Sequence, residues 1–219
     1  LRPRTGQDGL LDLAGNDYLG LARHPDVVAA AVAATASWGA GATGSRLVTG
    51  STALHERLEI ELSGFFGTEA ALVFSSGYLA NVGTLAALAG PGDLVVSDAL
   101  NHASIIDGAR LCRARIVVTP HRDVAAVAAT LASRTEERAI VVTDAVFSVD
   151  GDLAPMAELV ATARRYRAGL VVDEAHAFGV LGRGGRGALD MAGLAGAPDV
   201  VVTATLSKAL GSQGGTVLG

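Results

Sequence analysis

One lysine, Lys208, and one cysteine, Cys112, are all that this 219-residue chain has of either type. A lone cysteine excludes an intrachain disulfide and suits a reducing, cytoplasmic setting. A lone lysine confines primary-amine chemistry to one position. Arginine fills the rest of the 17 Lys and Arg positions, and a guanidinium neither loses its proton nor forms a Schiff base. No apolar run approaches the roughly 18 residues of a membrane span, and no secretory signal pattern opens the chain. The longest basic cluster is Arg164-Arg165-Tyr166-Arg167 and the net charge is −5. Neither nucleic acid nor an anionic membrane is therefore an expected partner. The chain begins without methionine and stops on the apolar Thr216-Val217-Leu218-Gly219. It reads as a piece of a longer polypeptide.

Half of the residues are hydrophobic, enough for one sizeable core. Leu10–Leu13 reads as a short strand followed by the turn residues Ala14 to Gly20. His24-Pro25-Asp26 opens a helix that Gly39 ends. The segment from Gly39 to Gly50 is a glycine-dense loop, and Ser51 is the expected N-cap of the next helix. Leu54, Leu58, Leu62 and Phe65 give that helix one apolar face. From Ala70 the pattern becomes rhythmic. Strands are expected at Ala71–Phe74, Leu94–Ser97, Ile116–Thr119, Ile140–Thr143, Leu170–Asp173 and Val200–Ala204, separated by alanine-rich helical segments. Continuous runs such as Ile140-Val141-Val142 suit strands buried on both faces. The alternation implies an α/β fold with a doubly wound, mainly parallel sheet and helices on both faces. We divide the chain into residues 1–50, an N-terminal segment with the glycine-rich loop, and 51–219, a large domain.

In such a sheet, ligand chemistry gathers beyond the carboxyl ends of the strands, and the unusual polar residues fall there. Ser75 to Asn81 follows the first of these strands, a turn into a helix whose free N–H groups suit a phosphate. Asp98 to Ser104, with His102, follows the second. Asp144 to Gly151, with Ser148, follows the fourth. Asp173-Glu174-Ala175-His176 ends the fifth, and Thr205 to Lys208 ends the sixth, where the pair Gly214-Gly215 would let backbone approach a ligand. Asp173 to His176 also spells the DEAH box of helicases, but a P-loop G-x-x-x-x-G-K-[ST] is missing. Gly182 to Gly187 fits G-x-G-x-x-G, yet lies well past its strand, so a flexible arginine-rich turn is expected instead.

A phosphate cradle, a strand-end aspartate, two histidines and one lysine match what pyridoxal phosphate requires of a protein. With Asn16-Asp17-Tyr18-Leu19-Gly20-Leu21, Gly44-Ser45-Arg46-Leu47-Val48, Ser148 to Asp152, Asp173 to Gly179 and Thr205 to Gly215, the chain resembles the α-oxoamine synthases among fold-type-I pyridoxal-phosphate enzymes, and within them the branch serving biotin synthesis. The resemblance implies that Lys208 holds the cofactor as a Schiff base and moves the substrate's α-proton. It implies that Asp173 keeps the ring nitrogen protonated and that His102 stacks on the ring beside the substrate. His176 and Ser148 would bond the ring's phenolic oxygen, and Gly77, Tyr78 and Thr205 would hold the phosphate region. Asn16 would lie near the substrate, while Asp144, where many relatives carry glutamate, receives no role.

The implied reaction is decarboxylative condensation of L-alanine with pimeloyl-CoA or a pimeloyl-carrier protein, by a cytoplasmic homodimer with no metal. The family also has a smaller C-terminal domain supplying an arginine for the amino-acid carboxylate, which is expected to lie beyond Gly219. If the carboxylate is held from within these residues, Arg46 is the first candidate. Rival readings are an oxoamine synthase using glycine or serine, a fold-type-I aminotransferase, and, from another class, a nucleotide-binding module.

Overall fold

A computed structural model describes residues 13–219. The strand expected at Leu10–Leu13 lies outside the described residues except for Leu13, which sits in a bend. Seven strands form one sheet: β1 (Ala71–Phe74), β2 (Leu94–Asp98), β3 (Arg115–Thr119), β4 (Ala139–Asp144), β5 (Gly169–Asp173), β6 (Val200–Thr205) and β7 (Gly215–Leu218). Their order is β1-β7-β6-β5-β4-β2-β3. Strands β2 to β6 pair in parallel, and only β7 runs against its neighbours, β6 and β1. The mainly parallel sheet and its six expected strands are present. Strand β7 was not expected, because four residues opening on glycine carry too little pattern to read.

The helices are α1 (Pro25–Trp38), α2 (Ala53–Phe66), α3 (Gly77–Leu88), α4 (Ala103–Leu111), α5 (Val124–Ser133), α6 (Met156–Arg165) and the short α7 (Ala188–Met191). Side chains start several of them by accepting orphan backbone N–H groups. His24 does so for α1, Ser76 for α3, His102 for α4 and Asp123 for α5. Ser51 does not cap α2. The cap position is Thr52, whose backbone N–H donates to His55 Nδ1 at 3.2 Å. Ser51 instead accepts from Arg46 Nη2 at 3.2 Å.

Period-two alternation sends each strand's side chains to opposite faces. Leu94, Val96, Val141, Leu170 and Val172 join residues of α2, α5, α6 and α7 on one face. Val95, Ile140, Val142 and Val171 join Leu85 of α3 and Ile105, Ala109 and Cys112 of α4 on the other. Both faces are thus covered, as the continuous apolar runs required. Fully buried side chains such as Val95, Leu85 and Ile105 each contribute about 1.5–3 kcal/mol of burial free energy.

The winding reverses between β4 and β2: the chain steps from β4 to β5 to β6 one way, and from β2 to β3 the other. A crevice opens at such a point beyond the carboxyl ends. Pairing of β2 with β4 ends at Ser97 and Val142. Beyond it the Asn101 side chain continues the ladder, donating to Val142 O at 2.9 Å and accepting from Asp144 N at 3.0 Å. That bridge sets His102 at the mouth of the crevice.

Candidate active site

The Lys208 amine stands at the centre. Beyond β6 the backbone is closed by Leu206 N to Gly214 O (3.0 Å), Ser212 N to Leu206 O (2.9 Å) and Gly211 N to Lys208 O (3.0 Å), which fixes where the side chain starts. Its Nζ lies 2.6 Å from His176 Nε2. His176 Nδ1 lies 2.7 Å from the Tyr18 hydroxyl, which donates to Asn16 Oδ1 at 3.1 Å. One direction satisfies every atom: Lys208 donates to Nε2, Nδ1–H donates to Tyr18, and Tyr18 donates to Asn16. His176 is then neutral. Burial, with the positive charge of Lys208 behind it, accordingly brings its pKa down to about 4. Burial also lowers the Lys208 pKa against the opposing pull of Asp173 and Asp144.

A second network lies beneath. Asp173 is buried at the end of β5 and accepts from Asn81 Nδ2 at 2.6 Å and from Ala175 N at 2.9 Å. Asn81 Nδ2 also donates to Ser104 Oγ at 2.9 Å, and Asn81 Oδ1 accepts from Thr203 Oγ1 at 2.6 Å. Ser104 Oγ, having accepted, donates to His102 Nδ1 at 2.7 Å. This makes Nδ1 an acceptor and leaves the Nε2 side of His102 for a ligand. Asp144 pairs in register with Asp173 and accepts the His102 N–H at 2.8 Å. Burial first, then the neighbouring Asp173 charge, pushes Asp144 up to about 8. Burial raises Asp173 too, and a cationic group set against it would bring it down.

The third part is the start of α3. Ser76 Oγ accepts the Leu79 N–H at 3.1 Å and Ser76 O the Ala80 N–H at 3.0 Å; the helix supplies no acceptor for the N–H groups of Gly77 and Tyr78. A Cβ on Gly77 would sit 2.9 Å from Thr205 Cβ, so glycine lets the helix start against that hydroxyl. Thr205 Oγ1 donates to Gly214 O at 3.1 Å and accepts from Ser207 Oγ at 2.7 Å. Two N–H groups and two hydroxyls so border one spot at a helix N-terminus, the environment that an anion requires. Tyr78 directs its hydroxyl away, to Asp107.

Lys208, His176, Asp173, His102, Gly77, Tyr78, Thr205 and Asn16 therefore share one crevice. Ser148 stands exposed on the turn after β4, and among the described residues its side chain joins none of these hydrogen bonds. Arg46 is not free for a substrate carboxylate. Its guanidinium grips Glu59 at 2.5 and 3.1 Å and donates to Val73 O, tying the glycine-rich loop to α2 and β1. Gly214-Gly215 serves protein rather than ligand: a Cβ on Gly215 would lie 2.4 Å from Ser76 O. Glu174 is buried and accepts the N–H groups of Ala188 and Leu189 at 2.9 Å, so a nucleotide-binding use of the Asp173–His176 segment lacks that carboxylate. The Gly182–Gly187 turn is tied by Gly179 N to Gly185 O and by Arg183 N to Asp190 Oδ2. Tyr18, Asn81, Asn101 and Ser207 went unassigned in sequence. All four lie inside the polar segments at strand ends or the motifs quoted from the sequence, which is the signal that marks them.

The chain matches aminotransferase class I and II over residues 8–219 and belongs to that family. Within it, the strong match is to 8-amino-7-oxononanoate synthases, fold-type-I pyridoxal-phosphate enzymes of the α-oxoamine synthase group. The protein of that name from Mycobacterium ulcerans is 66% identical over 219 residues, 100% of this chain and 56% of its own length. That from Mycolicibacterium smegmatis is 64% identical, at 100% and 57%. The chain thus spans little more than half the length of the curated relatives it matches. Among solved structures, a Sphingomonas wittichii serine palmitoyltransferase is 41% identical with TM-score 0.89, over 93% of this chain and 51% of that one. The Francisella tularensis 8-amino-7-oxononanoate synthase is 28% identical with TM-score 0.80, over 97% and 59%. An S. paucimobilis serine palmitoyltransferase, 40% identical with TM-score 0.89 over 93% of this chain and 51% of that one, was solved with bound PLP and myriocin.

Pyridoxal phosphate is the cofactor of this family, and the residues present fit it. A primary amine, a buried carboxylate and a helix N-terminus bordered by hydroxyls are the groups that would suit its aldehyde, its ring nitrogen and its phosphate. Among the described residues no cluster could hold a metal ion, and no helix is long and apolar enough to cross a membrane.

Proposed function

We propose that this chain carries the cofactor-binding part of an enzyme that condenses L-alanine with a pimeloyl thioester, of coenzyme A or a carrier protein, releasing CO2 and 8-amino-7-oxononanoate for biotin synthesis. The observation that carries the reading is the only lysine, its amine 2.6 Å from a neutral histidine and within the electrostatic pull of the buried Asp173, in a chain 66% identical to an enzyme of that name. Bound pyridoxal phosphate supplies an electrophilic aldehyde and a ring that withdraws electrons from the substrate's α-carbon.

The protein's part follows from its geometry. A lowered pKa makes the uncharged amine of Lys208 easier to reach, the form that would attack a carbonyl and later take a proton from the alanine α-carbon. His176 accepts from that amine and so aims it. Asp173, oriented by Asn81, holds a proton on the ring nitrogen by charge. His102, its Nδ1 held by Ser104, would offer its free edge to the ring and the substrate. Gly77, Tyr78 and Thr205 bind the phosphate region, Ser148 and His176 the phenolic oxygen, and Asn16 reaches the substrate through Tyr18. The working unit is a cytoplasmic homodimer, a reading supported by the single buried Cys112 and by exposed apolar residues such as Leu47 and Val48.

A second reading, condensation of serine or glycine with another acyl donor, is favoured by the 41% identity to serine palmitoyltransferase. The test uses the full-length protein with L-alanine, glycine and L-serine in turn. Exchange of the α-proton into deuterated water is followed by NMR, with and without a pimeloyl thioester. Preference for alanine with CO2 release supports the first reading, and preference for serine or glycine replaces it with the second.

A further inference from the structure

Outside the crevice, His121 holds an arrangement that the reaction does not explain. It follows β3, and both of its ring nitrogens meet carboxylates. Nδ1 lies 2.9 Å from Asp98 Oδ1, and Nε2 lies 2.8 Å from Asp152 Oδ2. The ring is three-quarters buried and stands edge-on to Phe147, with centroids 4.3 Å apart at 88°. Ionised carboxylates only accept, so both nitrogens must carry protons and the ring is an imidazolium. Arg122 is the other cation: its backbone N–H donates to Asp98 Oδ2 at 2.7 Å and its Nη1 to Asp152 Oδ2 at 3.1 Å. Asp123, next along, turns away to cap α5. Two carboxylates thus face two cations. Asp152 Oδ1 is buried with no hydrogen-bond partner among the described residues, so that carboxylate depends on His121 and Arg122.

Both carboxylates belong to turns that carry site residues. Asp98 ends β2, accepts the N–H groups of Leu100 and Asn101 (on Oδ1 at 2.8 Å and on its carbonyl at 3.3 Å), and so shapes the turn that presents His102. Asp152 closes the turn bearing Ser148, its carbonyl accepting the Phe147 N–H at 3.0 Å. The Asp98 charge also reaches Asp144, which holds the His102 N–H.

We propose that His121 is a positioning residue of the active site: as an imidazolium between Asp98 and Asp152 it locks the His102 turn to the Ser148 turn, and its neutralisation at alkaline pH releases both. This rests on the proposed roles of His102 and Ser148 beside the cofactor. The hydrogen bonds and charges of Asp98 and Asp152 outweigh the cost of burying the ring and hold the His121 pKa above its ordinary 6.5. A neutral ring would turn one nitrogen lone pair toward a carboxylate, so the lock fails when the proton leaves.

The test is NMR of the histidine ring nitrogens in the cofactor-loaded, full-length protein, with no substrate. At neutral pH His121 should show two protonated nitrogens, and His102 signals should shift with the same midpoint as the His121 titration. Asp152→Asn should lower both midpoints together by roughly one pH unit. His121→Gln should abolish the alkaline transition of His102 while its other signals stay native-like. A single ring proton on His121 below pH 6.5 overturns the proposal. So does a His102 midpoint that stays put in Asp152→Asn. Where the enzyme turns over, the alkaline limb of kcat/KM should follow the same midpoint and move with Asp152→Asn. Failure to use alanine would strike the proposed function alone, since the ring titrations are read without it.

Discussion

Lys208 has no substitute in this chain, which makes the residue scale unusually decisive. Borohydride reduction of the cofactor-loaded protein should attach pyridoxal phosphate at Lys208. In Lys208→Arg no covalent adduct should form within residues 1–219, because no other side chain there offers a primary amine; mass spectrometry of the digested protein checks both. Asp173→Asn keeps shape but loses charge. Cofactor capture should survive while alanine α-proton exchange falls about 100-fold or more, the scale of removing a preorganised electrostatic partner. Unchanged exchange would put Asp173 outside the chemistry. Tyr18 and Asn81 differ from these two in kind, since each acts by aiming another side chain, His176 in one case and Asp173 in the other.

Elements matter here chiefly through where they start. Strand β7 passes so close to the first residues of α3 that Gly215 has backbone where a Cβ would be, at 2.4 Å from Ser76 O and 2.5 Å from Gly77 N. Backbone yields less readily than a side chain, so Gly215→Ala should cost about 1–3 kcal/mol, the range of overpacking, and lower Tm in thermal melts. Gly77→Ala meets the Thr205 side chain instead. It should lower Tm by less than Gly215→Ala does and weaken pyridoxal-phosphate binding about tenfold, read by titrating the cofactor into the apoprotein. Equal loss of stability in both variants would mean that the α3 start is a packing feature and no cradle.

At the scale of the whole molecule, acid should act through the site before it acts through the surface. The folded pKa of His176, about 4, lies below its ordinary 6.5. Between those values His176 binds a proton in the unfolded chain that the folded chain refuses, so this residue's contribution to stability falls as pH drops through that window. Asp152, Asp199 and Glu59 are held below the usual carboxylate values, by His121, Arg164 and Arg46 respectively, so their contributions are lost only at still lower pH. Asp144 and Glu174, pushed up by burial to about 8 and about 7, bind protons in the folded chain over the same range and work the other way. The His176 share is therefore read as a difference: in melting curves of the cofactor-free protein from pH 7 to pH 4, His176→Gln should gain stability relative to the unaltered protein as pH falls. The surface makes a separate prediction. Helix α1 buries none of its residues, and Val32, Leu47, Val48 and Ile60 are all more than 60% exposed. Residues Leu1 to Gly219 expressed alone should self-associate in sedimentation, since apolar surface on that scale seeks cover.

What the sequence determined by itself was periodicity and chemical type. Runs such as Ile140-Val141-Val142 make buried strands wherever the chain later places them, and a single lysine limits amine chemistry whatever the fold. Helix starts were legible at α1, where Pro25 marks the first turn. The expected cap failed at Ser51, because two adjacent hydroxyl residues can both cap and only the packing of Arg46 against Glu59 assigns Ser51 elsewhere. Tertiary structure decided the rest. Strand β7 forms because β1 and β6 leave a gap between them, not because four residues encode it. Tyr18 reaches His176 across 158 positions, Asn81 reaches Asp173 across 92, and His121 meets Asp98 and Asp152 from a loop that local pattern marks only as a turn. Each of these contacts joins polar side chains whose own neighbours in sequence say nothing of the partner. Local pattern governs which element forms, and only the folded sheet, with its reversal between β4 and β2, brings the ends of those elements into one site.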